Sequence, residues 1–192
     1  KLAKINVRIV AAHFNHKLRG VESESDESFV REVCSERNIE LAVGRSAPKH
    51  SSNIEQNARV ERYDFLKKTA ANVGSLTVMT AHTVDDQAET FLLNLIRGSG
   101  VRGLSGMAPI RDLAAGDIKL IRPLLNWAKR ADTEAYCYEL GAKYRSDTMN
   151  EDEVFTRVRV RKILIPLLRD FNPKIVDRLA ETARLLRQEV GP

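Results

Sequence analysis

"LTVMTAHTVDDQAETFLLNLIRGSG", residues 76–100, joins two different periodicities. Its first seven residues are rich in β-branched and apolar types, the pattern of a short buried strand. From Val84 onward the apolar spacing becomes helical. On a wheel of about 100° per residue, Ala88, Phe91, Leu92, Leu95 and Ile96 share one face. A strand that runs straight into a helix is half of a βαβ unit, and the alternation recurs upstream. Residues 7–13 (VRIVAAH) and 39–44 (IELAVG) read as strands, and residues 24–38 and 53–74 as helices, the second opened by Asn53 as an N-cap. Such alternation predicts an α/β fold, a Rossmann-like parallel sheet with helices on both faces. Ligands of such sheets sit at the carboxyl ends of the strands, where this reading places His13 and His82.

Beyond the glycine-rich loop "RGSGVRGLSGMAP" the alternation stops. Residues 120–141 read as a short extended piece and a helix, residues 142–153 as a polar loop, and residues 155–171 and 173–189 as two closing helices. Pro166 must kink or interrupt the first of these. Ile175, Leu179, Ala183 and Leu186 make an apolar stripe along the second. The expected organisation is an α/β domain over residues 1–125 and a small helical extension over residues 126–192.

Composition narrows the function classes. The chain has 192 residues, 43% of them hydrophobic, enough for a core. No apolar run approaches the roughly 18 residues that span a bilayer, and no cationic-then-apolar leader opens the chain, so a cytoplasmic protein without membrane association is expected. The two cysteines, Cys34 and Cys137, are far apart and form no CxxC pair, which favours two buried thiols. The net charge of +5 is concentrated at one end: residues 155–192 hold 9 Lys/Arg against 4 Asp/Glu, and the rest of the chain is neutral. Charge asymmetry of this kind suits a polyanion such as nucleic acid, and equally a solvated basic helix.

Besides the loop of Gly98, Gly100, Gly103 and Gly106, whose backbone N–H groups could cradle phosphate but which taken alone reads rather as an ordinary loop, three features could carry chemistry. Asp85 and Glu89 lie one turn apart at the edge of the apolar face, with Asp86 about 60° from Glu89. Acids at a helix N-terminus are favoured by the dipole, and one of them can cap. Three within five residues repel one another unless donors or a cation offset them, and hard oxygen ligands so placed suit Mg²⁺ shared with phosphates. Spacing alone does not separate the cap from the metal. Second, Arg62 falls in the apolar stripe of its helix (Ile54, Ala58, Phe65, Leu66, Thr69, Val73), with Arg59 nearer the edge. A core-facing guanidinium needs an acid, a carbonyl or a phosphate. Third, "AAHFNHKLRG" sets His13 and His16 at a strand end beside Lys17 and Arg19, a combination that more often meets an anion than zinc.

Together, "HFNHKLRG", "NARVERYDFL", "TAHTVDDQAETFLLNLIRGSGVRGLSGM", "IRPLL", "SDTMN" and "RVRKILIPLLRDFNP" resemble, in order and spacing, the bacterial tRNA(Ile)-lysidine synthetases of the PP-loop ATP-pyrophosphatase superfamily. The resemblance runs over nearly the whole chain. It implies an adenine nucleotide alpha-hydrolase-like fold and ATP-dependent adenylation of the wobble cytidine of tRNA(Ile). L-lysine then displaces AMP to give lysidine. The implied cofactors are ATP and Mg²⁺, and the implied partners are tRNA(Ile) and L-lysine, with room for a homodimer. The implied catalytic residues are Asp86, Glu89, His82 and Arg62, with Asp86 on the Mg²⁺. ATP would meet His13, His16, Arg59, Arg62, His82, Arg97, Gly98 and Gly100, and the substrate side would hold Arg19, Asp147, Arg157 and Arg161.

The family's Ser-Gly-Gly-x-Asp-Ser loop does not occur in the sequence and is expected upstream of Lys1, with the first βα unit. The C-terminal tRNA-binding domains of longer members are likewise expected outside the chain. Arg157-Val158-Arg159 stands where the family reads Arg-Asn-Arg. The competing expectations are a non-catalytic tRNA-binding fragment and another PP-loop tRNA-modifying enzyme.

Overall fold

The computed structural model describes residues 7–46, 54–113, 117–145 and 154–191. In chain order the elements are β1 (Val10–Asn15), α1 (Val21–Glu36), β2 (Glu40–Arg45), α2 (Ile54–Asn72), β3 (Thr77–Met79), α3 (Val84–Ile96), α4 (Val101–Leu104), β4 (Ile110–Asp112) and β5 (Lys119–Ile121). They continue with α5 (Arg130–Glu139), α6 (Thr156–Arg159), a π-helical turn (Val160–Leu164), α7 (Ile165–Phe171) and α8 (Ile175–Val190). The expected N-cap Asn53 lies outside the described residues.

β1 and β2 pair in parallel, from Val10↔Glu40 to Asn15↔Arg45, and α1 connects them as a βαβ unit should. β3, β5 and β4 hydrogen-bond in that order. Lys119 N donates to Leu76 O and Thr80 N to Ile121 O, so β3 and β5 run the same way. The alternation read from the sequence is thus an α/β fold with parallel pairs β1–β2 and β3–β5; β4 returns antiparallel to β5, through Leu113 N to Ile118 O and Arg122 N to Pro109 O. One boundary shifts. β1 begins three residues later than predicted, because Val7 and Ile9 are 63% and 66% exposed, and it continues past His13 to Asn15. His13 pairs with Val43 inside the ladder.

The chain divides into two compact units, residues 1–78 with 112–119, and residues 79–111 with 120–192. In the first, Glu27 of α1 ties the elements together. It is 3% exposed and accepts from Asn15 Nδ2 of β1 (3.1 Å), from Arg45 of β2 (Nη2 2.6 Å, Nε 3.0 Å) and from Arg31 of its own helix (Nη2 2.9 Å). The Arg45 hydrogen bond, then those of Asn15 and Arg31, outweigh burial and lower its carboxyl to about 2. Phe14 and Phe65 pack 5.4 Å apart by ring centroid. Gly44 makes this approach feasible: a Cβ there would lie 2.5 Å from Phe65 and 2.6 Å from Phe14.

The second unit is built on α3. Val84, Ala88, Leu92 and Leu93 pack with Val160, Ile165 and Val176, and Leu164, Leu168, Ile175, Leu179 and Ala180 close around them. The stripe on α8 is real but turned slightly from the predicted one, with Val176 and Ala183 as its buried members. Leu95 and Ile96, predicted to face the core, are 52% and 58% exposed. The helix ends there, and both side chains are left exposed. Val158, at the family's Asn position, is a core residue at 6% exposure.

Pro166 acts as predicted, through a specific device. It has no N–H to give to the carbonyl four residues back. The preceding turn widens to π geometry, and Ile165 N donates to Val160 O, five residues back. Among the described residues no helix is long and apolar enough to cross a membrane.

Candidate active site

The acids of α3 are met by three arginines of the same unit. Glu89 has no exposed surface. Its Oε1 accepts from Arg161 Nε (2.7 Å) and Arg130 Nη2 (3.1 Å), and its Oε2 from Arg157 Nε (2.8 Å) and Arg161 Nη2 (3.1 Å). Arg161 therefore grips it with two parallel bonds, the strongest geometry available to a guanidinium–carboxylate pair. Burial pushes the Glu89 carboxyl up, but the hydrogen bond from Arg161 and the charge and hydrogen bond of Arg157 together hold it below the usual carboxylate range. The same contact with Glu89 raises Arg161. Arg157 lies in α6 and Arg161 in the π turn, so the device imposed by Pro166 sits where both guanidiniums must converge.

Asp86 has two tasks. Its Oδ2 accepts from Thr83 N (2.8 Å) and Thr83 Oγ1 (3.0 Å), tying the N-cap residue of α3. Its Oδ1 accepts from Arg157 Nη2 at 3.1 Å. Asp85 Oδ2 accepts from the backbone N–H of Arg130, which fixes the start of α5. The cluster is thus a cap and an ion-pair network at once. Arg130 was not singled out from sequence. It stands 41 residues from Glu89, and nothing local marks it.

Among the described residues no three His, Cys, Asp or Glu side chains are grouped to hold a metal ion. Both Glu89 oxygens are saturated by guanidiniums, so Glu89 does not fit a cation. Asp86 is 19% exposed and fits as a single carboxylate ligand. That suffices for Mg²⁺ only where substrate phosphates and water complete the shell.

His82 follows β3, and its Nδ1 is 2.9 Å from Thr80 Oγ1, a contact that orients the ring. Arg97, Gly98 and Gly100 begin the glycine-rich loop after α3, where Gly98 takes a positive φ of 74°. That loop is anchored to its helix. Gln87 Oε1 accepts from Met107 N (2.9 Å), its Nε2 donates to Met107 O (3.3 Å), and Asn94 Nδ2 donates to Gly103 O (2.7 Å). Gln87 is 3% exposed and was also missed, because its neighbours in the acid run drew the reading.

His13, His16, Arg19, Arg59 and Arg62 belong to the first unit. His13 Nε2 and His16 Nδ1 are buried with no hydrogen-bond partner. Burial lowers both histidines, and the Arg62 charge lowers His16 further. Arg62 and Arg59 lie 5.5 and 5.1 Å from the Tyr63 ring centroid, cation–π contacts that leave their hydrogen-bonding capacity largely unspent. Arg62 has no ion pair among the described residues. Of the partners expected for it, an acid, a carbonyl or a phosphate, the acid is therefore not found there, and its side chain is half-buried rather than set in the core. Arg19 holds Asp26 (2.5 Å) and Glu22 (3.4 Å). Asp147 lies outside the described residues.

Comparison with known proteins gives these features a context. A PP-loop domain model matches residues 1–168. The tRNA(Ile)-lysidine synthase of Dehalococcoides mccartyi is 40% identical over 188 residues, covering 94% of this chain and 40% of that protein. That of Geobacter sulfurreducens is 41% identical over 194 residues, covering 98% of this chain and 40% of that protein. Among solved structures, the U34-tRNA thiolase NcsA from Methanococcus maripaludis, with its [4Fe-4S] cluster, superposes with a TM-score of 0.73 at 18% identity, over 95% of this chain and 63% of that one. The chain spans about two fifths of the length of these synthases. The parallel α/β fold, the match over residues 1–168 and the extent of the identity agree: the chain belongs to the PP-loop family.

Proposed function

We propose that the chain is the ATP-using part of a tRNA(Ile)-lysidine synthase, a carbon–nitrogen ligase. The observation that carries this reading is identity of 40–41% to two such enzymes over 94–98% of the chain. The ordered arginine–carboxylate cluster on α3 agrees with it. In the reaction, the C2 oxygen of the wobble cytidine attacks the α-phosphorus of ATP and pyrophosphate leaves. The amine of L-lysine then attacks C2, loses a proton, and AMP leaves with the oxygen.

Both steps build negative charge on phosphate oxygens, and fixed guanidiniums stabilise such charge without reorganising. Arg157 and Arg161 are fixed in this sense by Glu89. Glu89 is accordingly a poor proton acceptor: it is held ionised, wholly buried and saturated with donors. Asp86 is the more accessible carboxylate, suited to hold Mg²⁺ together with the phosphates. Mg²⁺ would supply charge neutralisation on the leaving phosphates. His82, oriented at Nδ1 by Thr80, would meet the nucleotide. His13, His16, Arg59 and Arg62 are the first unit's contribution to ATP, and Arg97, Gly98 and Gly100 border it. Arg19 and Asp147 are assigned to the tRNA side.

A thiolase reading, suggested by the structural neighbour, is disfavoured by two lone cysteines with no CxxC pair. The test is AMP release by the full-length protein with ATP, Mg²⁺ and tRNA(Ile), with and without L-lysine. Release that requires both tRNA and lysine, with lysidine in the digested RNA, is expected. Lysine-independent release, or none, sinks the reading.

A further inference from the structure

A glycine-rich loop beside a nucleotide site invites the idea of a mobile lid. The bonding around residues 98–107 argues otherwise. Three alternate carbonyls of the loop are each taken by a side chain from a neighbouring helix. Gly103 O accepts from Asn94 of α3 (2.7 Å), Ser105 O from Arg187 of α8 (2.5 Å) and Met107 O from Gln87 of α3 (3.3 Å). Gln87 also takes the Met107 N–H, so its amide closes a two-bond ring with one backbone residue.

The packing is equally close. A Cβ on Gly106, whose φ is +64°, would lie 2.9 Å from the Gln87 amide, and one on Gly103 would lie 2.5 Å from the Ser99 side chain. Internal bonds complete the loop: Leu104 N to Gly100 O, Ser105 N to Val101 O, and Gly106 N to Gly103 O. Gln87 stands between Asp86 and Glu89 in sequence but about 160° from Glu89 around the helix. One rigid helix therefore offers carboxylates to the arginines on one side and an amide to the loop on another. Residues 106–107 cannot move relative to Asp86 without breaking the two buried Gln87–Met107 hydrogen bonds.

We propose that Gln87 is a positioning residue: it fixes the glycine-rich loop against α3, and through the loop it sets how the nucleotide is held. The second half rests on the functional reading above; the first does not. The test uses the full-length protein with Gln87→Met, which keeps the volume and removes both bonds. Gly106→Ala perturbs the same contact from the loop side, and the double variant Gln87→Ala/Gly106→Ala, read against the single variants Gln87→Ala and Gly106→Ala, relieves the clash.

Backbone hydrogen exchange at Gly106 and Met107 should quicken in Gln87→Met. Its KM for ATP should rise about tenfold with the KM for tRNA unchanged, the split expected when geometry at one substrate is loosened. The double variant should be less impaired than the two single effects combined predict. Unchanged exchange overturns the clamp. Quickened exchange with an unchanged KM for ATP, or with all kinetic parameters reduced alike, overturns the link to the nucleotide. An unsubstituted protein that releases no lysine-dependent AMP sinks the functional reading, while the exchange measurement still decides the clamp.

Discussion

Glu89→Gln is close to isosteric and tests the ion-pair cluster directly. Each Glu89 oxygen accepts from two guanidinium donors: Arg161 and Arg130 on Oε1, Arg157 and Arg161 on Oε2. Whichever oxygen becomes an NH₂ group, two donors lose their acceptor and face another donor, and three arginines lose a shared counter-charge. Breaking a buried pair by removing one partner costs about 3–5 kcal/mol. The side chains of Arg130, Arg157 and Arg161 retain 36%, 28% and 23% exposure, so water relieves part of the loss. The expected destabilisation is therefore at the low end, about 3 kcal/mol, or about 6–12 °C in the melting temperature of a protein this size.

The assay is thermal and urea unfolding of both proteins followed by circular dichroism, repeated from neutral to acid pH. The sign of the pH effect follows from the lowered Glu89 carboxyl. A group depressed in the folded state stabilises above its unfolded pKa, and that contribution disappears as pH falls through the folded value. The gap between wild type and variant should thus be widest near neutrality and narrow in acid. A neutral-pH loss below about 1 kcal/mol, the scale of a surface pair, or a gap that does not narrow, refutes the account of Glu89 as the buried anchor.

Glu27 gives a second acid-sensitive site with a defined window. Its carboxyl falls from 4.5 to about 2 on folding, so its stabilising contribution should be complete above pH 4.5 and vanish toward pH 2; Glu27→Gln should flatten the acid limb of the stability curve over that interval. Gly44→Ala should cost about 1–3 kcal/mol by overpacking, because the new methyl meets Phe65 and Phe14 at 2.5 and 2.6 Å; a melting point equal to wild type would show that the rings give way freely. Arg161→Lys keeps the charge and removes the two-bond grip on Glu89, and should lower lysine-dependent AMP release by about tenfold or more while leaving the protein folded; full activity would show that charge alone suffices there.

The parts of the fold that could be read from sequence are those with local causes. α3 was legible because its acids, its apolar spacing and the strand before it lie within 25 residues, and the βα alternation upstream repeats the same signal. The partners of those acids were not, since Arg157 and Arg161 stand 68 and 72 residues beyond Glu89 and nothing in a one-dimensional pattern says which basic residue will return. Family resemblance supplied Arg157 and Arg161 as substrate-facing residues; it did not supply their bond to Glu89. Leu95 and Ile96 failed for a related reason: amphipathic spacing states which face is apolar, and only tertiary packing states which of its positions are covered. Pro166 was legible as a break because its missing N–H is a covalent fact, whereas the π turn that absorbs the break is one of several geometric solutions.

The three acids that open α3 looked from sequence like either a cap or a cation site. The structure puts three guanidiniums against two of the carboxylates, Asp86 and Glu89, and gives Asp85 a backbone N–H, so the negative charge of the cluster is already largely offset. On the proposed reading this bears on how substrate enters. A triphosphate brings several negative charges into a balanced site, and it can be accommodated only if it displaces a carboxylate from an arginine or arrives with its own cation. Glu89 is the wrong group to displace, being wholly buried and held by four hydrogen bonds. Asp86 is the right one: it is partly exposed, and its Oδ1 has one hydrogen bond, to Arg157 at 3.1 Å, with Arg130 farther off at 3.9 Å. If a phosphate oxygen takes that guanidinium, Oδ1 is released for a cation while Oδ2 remains on Thr83 and keeps the helix capped. On that reading a single aspartate would serve as cap through Oδ2 and as metal ligand through Oδ1 in the same state, and the two readings would not compete.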